Sequence, residues 1–129
     1  MNNLYIAPTP SSPEIDLRFD MRHFIIKGEA YPENAALFWG DVISNIRRFS
    51  EEDSLPEKIT VDVILTYFNS SSTKMLFSLF DTLNEKAASG TPVVLNWYHD
   101  EEDDTIYEFG QELCEDFPNL TFHDRTLQD

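Results

Sequence analysis

Residues 59–74 read ITVDVILTYFNSSSTK, and this stretch decides the fold. Its first ten residues are rich in β-branched side chains and nearly continuous in apolar character, which is typical of a central strand buried on both faces. A cluster of short polar residues follows at Asn69 to Ser72, and apolar residues then recur at helical spacing from Leu76 to Ala87. The stretch therefore predicts a buried strand, a turn and an amphipathic helix in direct succession.

Further strands are predicted on both sides of this central strand. Three precede it, at residues 4–6, 15–19 and 23–29, and the last two of these alternate polar and apolar side chains as a hairpin does. Two follow it, at residues 91–98 and 120–122, the first of them apolar enough to be buried.

Two further helices complete the pattern. The first is expected to open at residues 31–34, where Pro32 suits a helix start, and to dissolve into a polar loop at residues 50–53. The other follows an acidic loop and ends at Pro118. The inward-facing positions are predicted to be Ala36, Trp39, Ile43, Ile46 and Phe49 in the first helix and Ile106, Phe109, Leu113 and Phe117 in the last.

The predicted order is therefore β-β-β-α-β-α-β-α-β. Strands that alternate with helices imply parallel neighbours joined by right-handed crossovers, and the opening hairpin makes the sheet mixed. The chain of 129 residues is long enough for one α/β domain, which we expect to span residues 1–129.

Composition narrows the class of protein. The chain holds ten Phe and two Trp, which is too much core material for a disordered regulator, and it has no apolar run long enough to cross a membrane. A net charge of -15 repels nucleic acid and anionic membranes and favours basic protein partners, although solubility alone would also explain it. Cys114 is the only cysteine, so no internal disulfide forms, and we expect a cytoplasmic protein with Cys114 as a buried, inert thiol.

Residues that carry catalytic chemistry are scarce. The four glycines form no nucleotide-binding motif, and His23, His99 and His123 lie on or beside predicted strands without the spacing of a zinc site. The acidic run at residues 99–104 is either a cation site or the acidic start of a helix, and it lacks the ligand spacing of a calcium loop. We therefore predict no enzyme activity, no cofactor and no metal, with a small enzyme or metal protein using this run as the competing hypothesis.

The turn after the central strand is the position that suggests regulation. Ser71 or Ser72 alone is enough to cap the following helix, which leaves Ser70 exposed and dispensable for folding. A phosphate on Ser70 would add about -1.5 to -2 charges beside any partner that packs on the turn. The alternative is that the serine cluster only caps the helix.

Two motifs resemble those of a known family. The element order is similar to the STAS fold of bacterial anti-sigma-factor antagonists, and residues 28–34 (GEAYPEN) together with residues 65–74 (LTYFNSSSTK) resemble the SiaC family of regulatory phosphoproteins. Trp97-Tyr98 with its acidic sequel is also similar, so that the resemblance covers almost the whole chain. The phospho-acceptor of the family is often Thr and corresponds here to Ser70, with Ser71 and Ser72 as alternatives.

The resemblance implies a partner-switching protein in cyclic-di-GMP signalling and biofilm regulation. It implies a serine/threonine kinase that phosphorylates the chain, a PP2C-type phosphatase that reverses this, and an effector such as a diguanylate cyclase that the unphosphorylated form binds and activates. A constitutive interaction module of the same fold, without phosphorylation, is the alternative.

A partner-binding face is expected around the turn. Met75 and Phe77 fall on opposite flanks of the predicted buried stripe, so they are either exposed docking residues or a widening of that stripe. The resemblance adds the segment before the first helix, where Pro32 also suits a purely structural role. The predicted partner-binding residues are Tyr31, Pro32, Glu33, Asn34, Asn69, Ser70, Ser71, Lys74, Met75 and Phe77.

Overall fold

A six-stranded sheet carries the fold in the computed structural model, which describes residues 1–127, so the last two residues of the predicted domain lie outside it. The strands are β1 (Leu4–Ile6), β2 (Glu14–Arg18), β3 (His23–Ala30), β4 (Ile59–Phe68), β5 (Val93–His99) and β6 (Thr121–Thr126). The helices are α1 (Ala35–Glu52), α2 (Ser70–Ala88) and α3 (Asp104–Asp116), and a short 3-10 helix at Phe19–Met21 joins β2 to β3. The predicted element order is confirmed.

The strands lie side by side in chain order, from β1 to β6. The β1–β2 and β2–β3 pairs are antiparallel, and every pair from β3 to β6 is parallel, as a mixed sheet requires. Each of the three helices connects one parallel strand to its neighbour, and all three connections move along the sheet in the same direction, from β3 to β6. Because such crossovers are right-handed, all three helices cover the same face of the sheet.

The opposite face of the sheet is open, so the prediction that the central strand is buried on both faces is wrong. In β4, Val61 and Val63 are buried towards the helices, whereas the alternate residue Asp62 is only half-buried. Asp62 accepts a hydrogen bond from Asn96 at 2.8 Å and lies 2.6 Å from Nε2 of His23. These lateral contacts satisfy polar groups across three strands without a second layer of helices.

Two tryptophans anchor the core under the helices. Trp97 of β5 is fully buried, stacks on Phe109 at 5.5 Å between ring centroids, and donates to the carbonyl of Ile106 at 2.9 Å. Helix α3 can lie this close because residue 110 is glycine: an added Cβ would stand 2.5 Å from the Trp97 ring. Trp39 of α1 is equally buried beneath α2.

Helix α1 differs from its prediction at both ends. It begins at Ala35, because Asn34 is the N-cap and its side chain accepts from the Leu37 amide at 3.0 Å; Pro32 therefore precedes the helix instead of opening it. Ala35 takes the inner position, so Ala36 is exposed and not buried as predicted. The helix also continues to Glu52, through the residues predicted to form a loop.

A buried charge cluster at the end of α1 explains its greater length. Lys86 of α2 donates to the backbone carbonyls of Ser50 and Asp53 at 3.1 and 3.0 Å, which satisfies groups that a helix end leaves free. Its Nζ also lies 3.1 Å from the Asp53 carboxylate, which binds Arg22 through two guanidinium nitrogens at 2.6 and 3.0 Å. The Arg22 hydrogen bond and the nearby Lys86 lower the pKa of Asp53 to about 2.

Cys114 is exposed, so the prediction of a buried thiol is wrong. Leu113 occupies the inward position of α3, and the next residue is rotated by about 100° towards solvent. None of the helices within residues 1–127 combines the length and the apolar character needed to cross a membrane.

Candidate functional site

The candidate site is built on the turn between β4 and α2. Asn69 caps α2, because its side chain accepts from the Ser72 amide at 2.9 Å. Its own amide donates to the Ala30 carbonyl at 3.1 Å, which ties the turn to the end of the neighbouring strand β3. The expectation that Ser71 or Ser72 provides the cap is therefore wrong. Both serines lie inside α2, after its N-cap residue.

The three serines that follow have different environments. Ser70 and Ser71 are exposed in the first turn of α2. Ser72 is fully buried, and its hydroxyl oxygen accepts from the indole Nε1 of Trp39 at 3.1 Å. The first two hydroxyls are accessible from solvent, whereas the hydroxyl of Ser72 links α1 to α2.

A groove of about 660 Å³ lies beside this turn, between the first turns of α1 and α2, and we call it the switch groove. Its lining residues are Glu33, Asn34, Ala35, Ala36, Ser71, Lys74 and Met75. Five of these residues belong to the predicted partner-binding set. They come from two separate segments, residues 33–34 and 71–75, which the fold brings together. Among the lining residues Lys74 is the only cation and Glu33 the only anion.

Phe77 does not join the switch groove. Its ring contacts Phe109 and Phe117 at centroid distances of 5.2 and 6.2 Å, so it is half-buried beneath α3. The alternative that Phe77 widens the buried stripe is therefore the correct one. Met75 is also partly buried, but it still lines the groove.

An exposed aromatic pair lies at the same edge of the sheet, and the sequence interpretation chose only one of its members. Tyr31 and Tyr67 pack edge to face with centroids 5.7 Å apart, and they remain 39% and 49% exposed. Simple strand alternation from Leu65 predicts that Tyr67 lies on the helix-covered face, where burial is expected. Instead, the pairing with β3 shifts by one residue between Leu65 and Tyr67, so that Phe68 takes the helix-covered side, 4.7 Å from Phe109 between ring centroids, and Tyr67 is exposed. No local pattern in the sequence reports this shift.

The acidic run after β5 forms the start of α3, as the helix-start alternative for this run predicts. Asp103 caps α3 by accepting from the Ile106 amide at 3.1 Å. Burial of the His99 side chain acts to lower its pKa, but the Asp100 carbonyl and the Asp124 carboxylate outweigh it and raise that pKa above the ordinary value. No group of three or more metal-ligating side chains occurs within residues 1–127.

Comparison with known proteins identifies the family. The model of the SiaC family of regulatory phosphoproteins matches residues 6–127. The chain belongs to this family. The resemblance carried by residues 28–34 and 65–74 is thereby confirmed.

Relatives of the SiaC family match over nearly their whole length. An uncharacterized protein of Pseudomonas aeruginosa (strain UCBPP-PA14) is 33% identical over 116 residues, which cover 90% of each chain. Apo-SiaC of Pseudomonas aeruginosa is 30% identical with a TM-score of 0.85, covering 99% of this chain and 100% of that one. A chain in the crystal structure of the diguanylate cyclase SiaD with its activator SiaC, from the same species, is also 30% identical, with a TM-score of 0.88 and coverage of 96% and 99%.

Proposed function

We propose that this protein is a phosphorylation-switched activator of a diguanylate cyclase. The unphosphorylated form binds the cyclase at the β4–α2 edge, and phosphorylation of Ser70 prevents this binding. The similarity to SiaC, described as the activator of SiaD in their complex, supports the choice of effector. Membership of a family of regulatory phosphoproteins supports phosphorylation as the signal. The proposed role is regulatory and includes no reaction catalysed by the chain itself.

The observation that carries the proposal is the exposure of Ser70 directly after the cap of α2, next to the switch groove. A phosphate there adds about -1.5 to -2 charges at pH 7. The positive end of the α2 dipole accommodates that charge, so the fold survives. Lys74 lies four residues further along the helix, on the same side, so the phosphate competes with a partner for the only cation of the groove.

The proposed contact surface consists of Tyr31, Pro32, Glu33, Asn34, Asn69, Ser70, Ser71, Lys74 and Met75. Phe77 is left out because it packs beneath α3. Ser71 remains the alternative phosphorylation site, since its hydroxyl is equally exposed, whereas phosphorylation of Ser72 would require the Trp39 hydrogen bond to open. The cycle needs a serine/threonine kinase and a PP2C-type phosphatase. Because the kinase and the cyclase use ATP and GTP, we place it in the cytoplasm.

The test compares Ser70→Asp with Ser78→Asp, which introduces the same charge at another exposed position of α2. Titration calorimetry against a diguanylate cyclase from the same host should show that Ser70→Asp weakens binding at least about tenfold, which corresponds to about 1.4 kcal/mol. Ser78→Asp and Ser70→Ala should bind as the unmodified protein does, and circular dichroism should show that all three remain folded.

Equal affinity of the two aspartate variants for the cyclase would refute the mechanism. Phosphopeptide mapping of protein isolated from its own host then locates the modification. Phosphate on Ser71 keeps the mechanism and moves its site by one residue, whereas a complete lack of phosphate, even with the kinase overexpressed, favours a constitutive binding module.

A further inference from the structure

A second groove runs along the outer flank of α1, next to the edge strand β1. It has a volume of about 530 Å³, and we call it the flank groove. Its lining residues are Ile6, Ala36, Leu37, Phe38, Gly40, Asp41 and Ser44. The proposed phosphorylation cycle leaves most of these residues without a role.

Leu37 projects beside this groove without cover. It is 72% exposed, more than any other large hydrophobic side chain described for the chain, and it lies next to the partly buried Ile6 and Phe38. Single exposed leucines are normal on protein surfaces, but an exposed leucine that continues into an apolar groove is typical of an interaction site.

Three small residues form the floor of the flank groove. Ala36, Gly40 and Ser44 are spaced four apart, so they lie on one side of α1. Among residues 1–127, no packing contact requires glycine at position 40, because an added Cβ would meet no atom within 4 Å apart from its own stretch of helix backbone. Glycine in the middle of a helix destabilises it relative to alanine. Close approach of another helix, which a side chain at residue 40 would prevent, accounts for the glycine.

The charge distribution indicates which molecule fits. Residues 1–13 contain no Asp, Glu, Lys or Arg, in a chain whose net charge is -15. On α1, Asp41 lines the groove and Arg48 follows it two turns later on the same side, whereas Arg47 reaches Thr82 of α2. Every copy of the chain repels every other copy, but this flank contributes little to that repulsion, because its one carboxylate is balanced by Arg48. A basic partner would be drawn to the acidic faces instead, so the flank suits a second copy of the same chain.

We propose that the flank groove is the interface of a symmetric homodimer. The α1 helices of two copies cross in antiparallel orientation, and Leu37 of each enters the channel over Ala36, Gly40 and Ser44 of the other, as two-fold symmetry requires. Strand β1 lies alongside with its outer backbone groups unpaired, since it is hydrogen-bonded only to β2 within the described sheet. The dimer does not depend on phosphorylation of Ser70.

Sedimentation equilibrium of the full chain tests the proposal directly. The mass should rise with concentration from 15.0 kDa to twice that value. Raising NaCl from about 0.05 to about 0.5 M should strengthen association, because salt screens the repulsion between the two acidic copies. Leu37→Glu should weaken dimerisation at least about tenfold, whereas Leu55→Glu, at another exposed leucine, should leave it unchanged.

Gly40→Leu gives two readouts of opposite sign. Denaturation at concentrations where the chain is monomeric should show a more stable protein, because leucine favours the helix and the site is open. Dimerisation should be lost, because the channel is filled. Either a monomeric mass at all concentrations, or equal dimerisation of Leu37→Glu and Leu55→Glu, would overturn the proposal. The same holds if Leu37→Glu weakens only the binding of a cyclase, because the flank would then belong to the effector.

Discussion

Replacement of Asp53 by asparagine should destabilise the fold strongly, because the Asp53 carboxylate is the counter-ion of two buried cations. The Asp53 side chain is 5% exposed and lies 2.6 Å from Arg22 and 3.1 Å from Lys86. Asparagine keeps the shape of the side chain and removes its charge, which leaves both cations buried without compensation. Removal of one partner from a buried ion pair costs about 3 to 5 kcal/mol, and we expect a loss within that range at pH 7.

The same residue predicts how stability depends on pH. The pKa of Asp53 is lowered from its ordinary 3.8 to about 2, so the folded protein takes up this proton less readily than the unfolded chain. The contribution is therefore complete above about pH 4 and disappears as the pH falls through 2. A difference of nearly two pKa units corresponds to about 2 kcal/mol, and that pH-dependent part should be missing from Asp53→Asn.

Urea denaturation followed by tryptophan fluorescence, at pH 7 and in steps down to pH 2, measures both effects. The matched control is Asp41→Asn, which removes the same charge from an exposed position of α1 and should change the free energy of unfolding only slightly. The reasoning fails if the two variants are equally stable at pH 7. It fails also if Asp53→Asn loses stability between pH 4 and pH 2 as steeply as the original protein.

Two further predictions concern contacts of the tryptophans. Ser72→Ala should lower the free energy of unfolding by about 1 to 3 kcal/mol, because it leaves the buried Trp39 indole N–H without an acceptor. In a double-mutant cycle with Trp39→Phe, the two losses of stability should not add. Additive losses would argue against the hydrogen bond. Gly110→Ala should destabilise the folded protein by about 1 to 3 kcal/mol, because the added Cβ would stand 2.5 Å from the Trp97 ring. Gly40→Ala is the control and should not destabilise it, since that site is open. Thermal melts of the two variants measure the difference.

Local pattern predicts most of the fold, because hydrophobic period and turn residues act over a few positions. The strand at 59–68 has the predicted bounds, and the apolar stripe of α3 is buried as predicted. A local pattern of this kind does not show that one face of the sheet is open. Half-buried residues such as Ile64 look like core residues in the sequence, and whether helices cover them depends on strand order, which is a property of the whole chain.

The candidate site is predictable only in part, for the same reason. The turn at Ser70 follows from local residues, and the resemblance adds residues 31–34, which topology brings beside the turn because β3 and β4 are neighbours. Choosing Asn69 over the serines as the cap requires knowledge of where the helix begins. In the sequence, Gly40 and Leu37 are ordinary residues of a helical segment. They indicate an interaction surface only when their three-dimensional surroundings are known.

The single-sided arrangement of the helices has a consequence for how such proteins diversify. Because every crossover has the same hand, the chain returns to one rim of the sheet before each helix, and three loops from distant parts of the sequence meet there. The sheet and the packed helix faces hold that rim in place without contributing to its surface. Changes in these loops can therefore alter which partner is recognised while the framework stays as it is.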